Sequence, residues 1–156
     1  MKTLIASIIL SFGGLLFSAG SAQAQEVAPL VPQFSPPKAG ELIIRFHEAM
    51  AQGLRTGGLH VMSPQKVRAK LKLGVENAGC FQGACITNAK GILGVDQVAV
   101  AHVTSEGKNY TIALRVLKGS KVLGSGTGRC DICTMSEAME TMTRVAEEVG
   151  SRTEEP

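Results

Sequence analysis

The sequence predicts an α/β fold of the α+β kind, a small mixed sheet of about four strands packed by helices in the order α-β-α-α-β-β-β-α. Three observations lead there. Apolar residues recur at helical spacing in two places, Leu42, Ile43, Phe46, Ala49, Met50 and Leu54, then Met135, Ala138, Met139, Met142, Val145, Ala146 and Val149. Three strand-like runs lie between them, "DQVAVAHVT", "YTIALRVLK" and "VLGSGTG", separated by the turn signals "EGKN" and "GSK". Two shorter helical stretches follow an early strand, which is the layout of a right-handed crossover between parallel strands.

Each element has its own warrant. The first helix runs through "AGELIIRFHEAMAQGLR" and stops at Gly57 and Gly58. A short strand is expected from Leu59 to Met62. "SPQKVRAKLKLG" alternates strictly from Lys66 to Leu73, which favours a strand. Ser63 as N-cap, Pro64 at the first helical position and Gly74 as a stop favour a helix. The spacing of Val67 and Leu71 decides for helix, with Lys66, Arg68, Lys70 and Lys72 on its solvated faces. A third helix is expected from Gln82 to Leu93, with Phe81, Cys85, Ala89 and Ile92 on one side. "DQVAVAHVT" is apolar on both faces, the mark of a covered central strand. Its partner strand places Tyr110, Ile112, Leu114 and Val116 on one face. Thr134 and Glu137 form a capping box before the last helix. Its methionines are flexible core filler.

The chain opens "MKTLIASIILSFGGLLFSAGSAQAQEVAP". Lys2, a short apolar run and the small residues Ala22 and Ala24 form a secretory leader over 1–24, cut between Ala24 and Gln25. The run is short for a membrane span, so no transmembrane segment is expected after cleavage. Residues 25–38 carry Pro29, Pro32, Pro36 and Pro37 and are expected to be a linker or arm. Residues 39–150 form one domain and 151–156 a frayed tail.

Composition excludes some classes. The net charge is only +3, Trp is absent and Tyr110 is the only tyrosine. Neither a cationic footprint nor an aromatic platform for nucleic acid is present. "GSGTGR" at Gly124 to Arg129 lacks the GK[ST] ending of a phosphate loop. Its alternating glycines suit close approach of a helix to a strand.

From Gly58 to Leu123 the chain shows an ordered set of motifs: "GLHVMSPQKVRAKLKLG", "GCFQGACITNAKGILGVDQVAVAHV" and "YTIALRVLKGSKVLG". This set resembles the amino-terminal domain of TolB and the CsgG-like domain of bacterial envelope proteins. It is most similar to the variant in large exported proteins of myxobacterial type, set before PEGA modules, which also carries C-x-x-C before the last helix. The resemblance covers about three-quarters of the mature chain. It implies binding or assembly in the envelope, without established catalytic residues. The chain departs from the pattern in that no propeller, PEGA module or pore segment follows.

Cys80, Cys85, Cys130 and Cys133 allow three pairings. An exported protein meets an oxidising compartment, where disulfides persist. "GCFQGAC" offers a Cys80–Cys85 bridge and "RCDIC" a Cys130–Cys133 bridge, each fixing the start of a helix. One alternative is redox catalysis by Cys130 and Cys133, since a helix amino terminus lowers a thiol pKa. Another is a zinc site of all four thiolates. His47, His60 and His102 are scattered and show no ligand spacing, and Ser63 and Ser105 lack a nucleophile elbow.

The expectation is a non-catalytic, exported envelope module, periplasmic or secreted, with two structural disulfides and no cofactor. Its partner would be an envelope protein, met through the proline-rich arm or an exposed sheet edge. The alternatives are a thiol–disulfide oxidoreductase at Cys130 and Cys133, and a thiolate zinc domain.

Overall fold

The computed structural model describes residues 25–38, 40–72 and 79–153. The leader through Ala24, the expected stop at Gly74 and residues 154–156 lie outside the described residues.

Strand β3 (Gln97–Glu106) is the axis of the sheet. Val98, Ala99, Val100, Ala101 and Val103 are buried on alternating faces, which is why the run reads as continuously apolar. A tight turn at Gly107 and Lys108 leads into β4 (Asn109–Lys118), antiparallel to β3 from Glu106↔Asn109 to Gln97↔Lys118. A second turn at Gly119 and Ser120 leads into β5 (Lys121–Cys130), paired from Lys118↔Lys121 to Tyr110↔Cys130. A register shift lies at Val116/Leu117.

The other side of β3 holds a correction. Residues 25–38 are not a free linker. They form β1 (Val27–Pro29) and β2 (Gln33–Ser35), both parallel to β3, at Val27↔Gln97 and at Gln33↔His102. Val27, Ala28, Leu30, Val31 and Phe34 are buried. Proline is tolerated at a sheet edge, where a missing amide costs no ladder bond, and the apolar residues between the prolines supply the packing. The break at Leu30 to Pro32 divides this edge into two short strands that share one position beside β3. Among the described residues the sheet therefore has five strands in four positions.

The expected strand at Leu59 to Met62 reduces to one bridge, Val27↔Val61. Val27 N–H donates to the His60 carbonyl and Met62 N–H to that of Val27. The segment caps the outer side of β1, so the crossover to β3 starts from β1 and β2.

Helix α1 (Glu41–Thr56) and helix α4 (Met135–Arg152) cover one sheet face. Phe46, Met50, Leu54, Ile112, Leu114, Met142 and Ala146 form its core. Phe46 meets Phe34 edge-on at 5.2 Å and stacks on Tyr110 at 6.4 Å. Helices α2 (Pro64–Leu71) and α3 (Ala84–Leu93) cover part of the opposite face over a second core, with Leu30, Met62, Val67, Ile86, Leu93, Val98 and Val100. Ser63 caps α2 by accepting from Lys66 N–H, so the helix reading of this segment holds.

Helix α3 starts at Ala84, two residues later than expected, and two further details differ. In α3 the buried residues are Ile86, Ala89 and Leu93, whereas Cys85 is exposed and Ile92 is 49% exposed. Two apolar stripes one residue apart share Ala89, and the one through Ile86 and Leu93 packs into the core. At the carboxyl end α4 continues through Ser151 and Arg152, where a frayed tail was expected.

Candidate interaction edge and the cysteine pairs

The structure pairs the cysteines locally. Cys80 is bonded to Cys85 with Cα atoms 6.0 Å apart, and Cys130 to Cys133 with Cα atoms 5.9 Å apart. Both separations suit a disulfide. The two pairs lie on opposite faces of the sheet: Cys133 packs into the α1/α4 core and Cys80 into the α2/α3 core. Four converging thiolates are therefore absent, which corrects the zinc alternative. Among the described residues no group of three or more His, Cys, Asp or Glu side chains could hold a metal ion.

Each bridge has a neighbour that explains its place. Cys80 N–H donates to the Val31 carbonyl at 3.1 Å, so its bridge ties the start of α3 to the break between β1 and β2. Cys130 ends β5 and Cys133 immediately precedes Thr134, the N-cap of α4. Cys133 N–H donates to the Lys108 carbonyl and Ile132 N–H to Asn109 Oδ1, both at 2.9 Å. This pins the loop to the β3–β4 turn and leaves Ile132 79% exposed. Glu137 accepts from Thr134 N–H at 2.7 Å, and this bond holds its carboxyl below the usual value.

The chemical feature of widest reach is the outer edge of β5, which no strand covers among the described residues. The strand is 10 residues long, contains no proline and ends the sheet. Its glycines explain how it is held. A Cβ on Gly124 would sit 2.6 Å from Thr153 Oγ1, and one on Gly126 2.7 Å from Val149 Cγ2. One on Gly128 would clash with Val145. α4 thus lies directly on β5, as the alternating glycines imply, and "GSGTGR" is strand rather than phosphate loop. Ser125, Thr127 and Arg129 face the other way and are exposed.

The hairpin phase tells which backbone groups are free. A two-residue turn closes on a hydrogen-bonded pair, here Lys118↔Lys121. Antiparallel pairs then alternate. Past the bulge, Gly124, Gly126, Gly128 and Cys130 bond toward β4, and Ser125, Thr127 and Arg129 turn their N–H and C=O groups outward. A row of this kind is a template for another strand.

His47 and Arg68 are polar residues whose roles the sequence did not disclose. His47 is fully buried, its Nε2 2.7 Å from the Pro29 carbonyl and its Nδ1 3.1 Å from Arg68 Nη1. Arg68 Nη2 also reaches Glu48 Oε1 at 3.3 Å. Arg68 was expected among four solvated cations; its side chain is mostly covered, unlike Lys66, Lys70 and Lys72. Burial, offset by the Pro29 bond and reinforced by the Arg68 charge, lowers the His47 pKa to about 4. The group locks α1 to β1 and α2. His60 is exposed, and His102 packs against Phe81 at 5.4 Å. Ser63 serves as a cap and Ser105 is buried in β3.

No family model matches the chain, and no curated protein matches it. Solved structures do. Lipoprotein GNA1162 from Neisseria meningitidis aligns with a TM-score of 0.52 at 20% identity, over 68% of this chain and 79% of that one. LpoB of E. coli, solved by NMR, aligns with a TM-score of 0.52 at 14% identity, over 68% of this chain and 57% of that one. The C-terminal domain of LpoB from Escherichia coli gives 0.49 at 14%, over 74% and 89%. At these identities the likeness is one of fold. A fold shared with a bacterial lipoprotein is established, whereas the similarity to the TolB and CsgG-like domains rests on the ordered motifs alone.

Proposed function

We propose that the chain is an exported, non-catalytic module of the bacterial envelope that binds a protein partner by strand addition at β5, with both disulfides structural. The observation that carries this is the proline-free edge, whose outward backbone groups at Ser125, Thr127 and Arg129 meet no strand among the described residues. Strand addition draws affinity from main-chain bonds and specificity from alternate side chains. The leader over 1–24 delivers the chain to the periplasm or beyond, and among the described residues no helix is long and apolar enough to cross a membrane.

The test is Thr127→Pro. The Thr127 amide points away from β4, so proline blocks an incoming strand without removing a ladder bond. Photo-crosslinking from the edge, in the cell of origin, should capture a specific envelope protein from the parent and not from the variant. Capture of none sinks the reading.

A second reading has one observation in its favour. The Cys130–Cys133 pair stands at the amino terminus of an 18-residue helix, where a thiolate is stabilised. An oxidoreductase pair exchanges readily with glutathione and has a high reduction potential. A structural pair resists exchange, and its removal costs stability alone.

A further inference from the structure

We propose that the strand filling the β5 edge is β5 of a second copy of this chain, paired antiparallel about a two-fold axis through Thr127. The inference rests on the reading of β5 as the binding edge and supplies its occupant.

Symmetry limits the registers. A two-fold contact places the same residues on both sides, so that if one residue meets another the reverse contact also forms. Outward N–H and C=O groups on the unbulged half of β5 belong to Ser125, Thr127 and Arg129. An axis through Thr127 engages all of them, with Thr127 opposite Thr127 and Ser125 opposite Arg129 in both directions. An axis through Gly126 or Gly128 leaves one of the three outside this set. Opposed threonines are a favourable cross-strand pair. On the other face Gly126 meets Gly128, so no side chain obstructs the second strand. The register shift near Val116/Leu117 bends the far end of β5 and confines pairing to this half.

Charge complementarity points to a second copy. Gly128 lies under Val145 and Thr141, and Gly124 under Val149 and Thr153, so α4 runs antiparallel to β5. Glu137, Thr141, Glu148 and Arg152 follow one another along a single row of α4. A two-fold axis at Thr127 sets the two α4 helices antiparallel and brings Glu137 of each copy opposite Arg152 of the other. Both are exposed. Among the described residues Arg152 meets one carboxylate, Glu148, at 3.9 Å. The joined sheets form one surface running through both copies.

The full-length product, expressed with its leader and purified from the envelope fraction, is the material to test. Sedimentation should give twice the monomer mass. Thr127→Pro should halve that mass, keep the native circular dichroism spectrum and abolish the parent's dependence of melting temperature on protein concentration. Arg152→Glu should weaken the dimer, as should Glu137→Gln, which keeps the capping geometry. Thr127→Cys should crosslink two copies through a short bis-maleimide, and Thr111→Cys, exposed on β4, should not. A monomeric parent, or a dimer that Thr127→Pro leaves intact, overturns the proposal. If the parent is monomeric and Thr127→Pro abolishes capture of a different protein, this proposal falls and the edge reading stands. If Thr127→Pro changes neither assembly nor capture, both fall.

Discussion

His47 makes stability depend on acidity. Its Nε2–H donates to the Pro29 carbonyl and its Nδ1 accepts from Arg68, so the neutral ring fits and the imidazolium does not. The folded value of about 4 lies below the ordinary 6.5. As pH falls below the ordinary value the unfolded chain takes up the proton first, so stability is full above that value and declines toward the folded one. The loss is about 2 kcal/mol near pH 5 and about 3 kcal/mol near pH 4. Urea denaturation at the two acidities should show it, and in His47→Gln the slope should flatten. The sequence disclosed His47 only as a histidine beside an apolar stripe. Its partners come 18 residues earlier and 21 later, a separation beyond the reach of spacing rules. The disulfide partners, by contrast, are near neighbours and were legible. By loop-closure entropy each small loop contributes about 2 kcal/mol. Cys130→Ser with Cys133→Ser should cost about that much in denaturant, with no exchange activity gained or lost.

Secondary elements with a strong local signature were read correctly, and those defined by a distant neighbour were not. The capping box, the stripe of α4 and the two tight hairpins are local facts, and each appears in the structure. The glycines of β5 were also legible, because only close approach of a helix explains small residues at every second position. Gly126→Ala should therefore destabilise by about 1–3 kcal/mol through overpacking against Val149. Thr127→Ala, on the exposed side, should stay within about 0.5 kcal/mol. Thermal melts of the two variants decide this. The prolines of 25–38 misled because they mark an arm by composition, and only the presence of β3 converts them into an edge.

At the scale of the molecule, β1 and β2 complete the fold. They bury Val27, Leu30 and Phe34 and carry the Pro29 carbonyl that holds His47. A chain beginning at Ala39 keeps α1 to α4 and β3 to β5 yet leaves one side of β3 without β1 and β2. It should fail to fold cooperatively, as circular dichroism and limited proteolysis would show. A truncated chain with a native melt would refute the placement of β1 and β2 as an integral edge of the sheet.

The place of β1 also sets a schedule. Gln25 Oε1 accepts from Gln97 Nε2 at 2.8 Å, 72 positions further along, and Val27 is already in the core. Between the proposed cut after Ala24 and the folded body there is no slack. A peptidase needs several extended residues around the bond it cleaves, and the finished sheet would withhold them. Cleavage at the proposed bond would therefore have to come while β3 is still unpaired on that side. β1 must wait about 70 residues for β3, so a cut at the proposed bond would belong to the unpaired chain, and a leader retained there would compete with the pairing of β1.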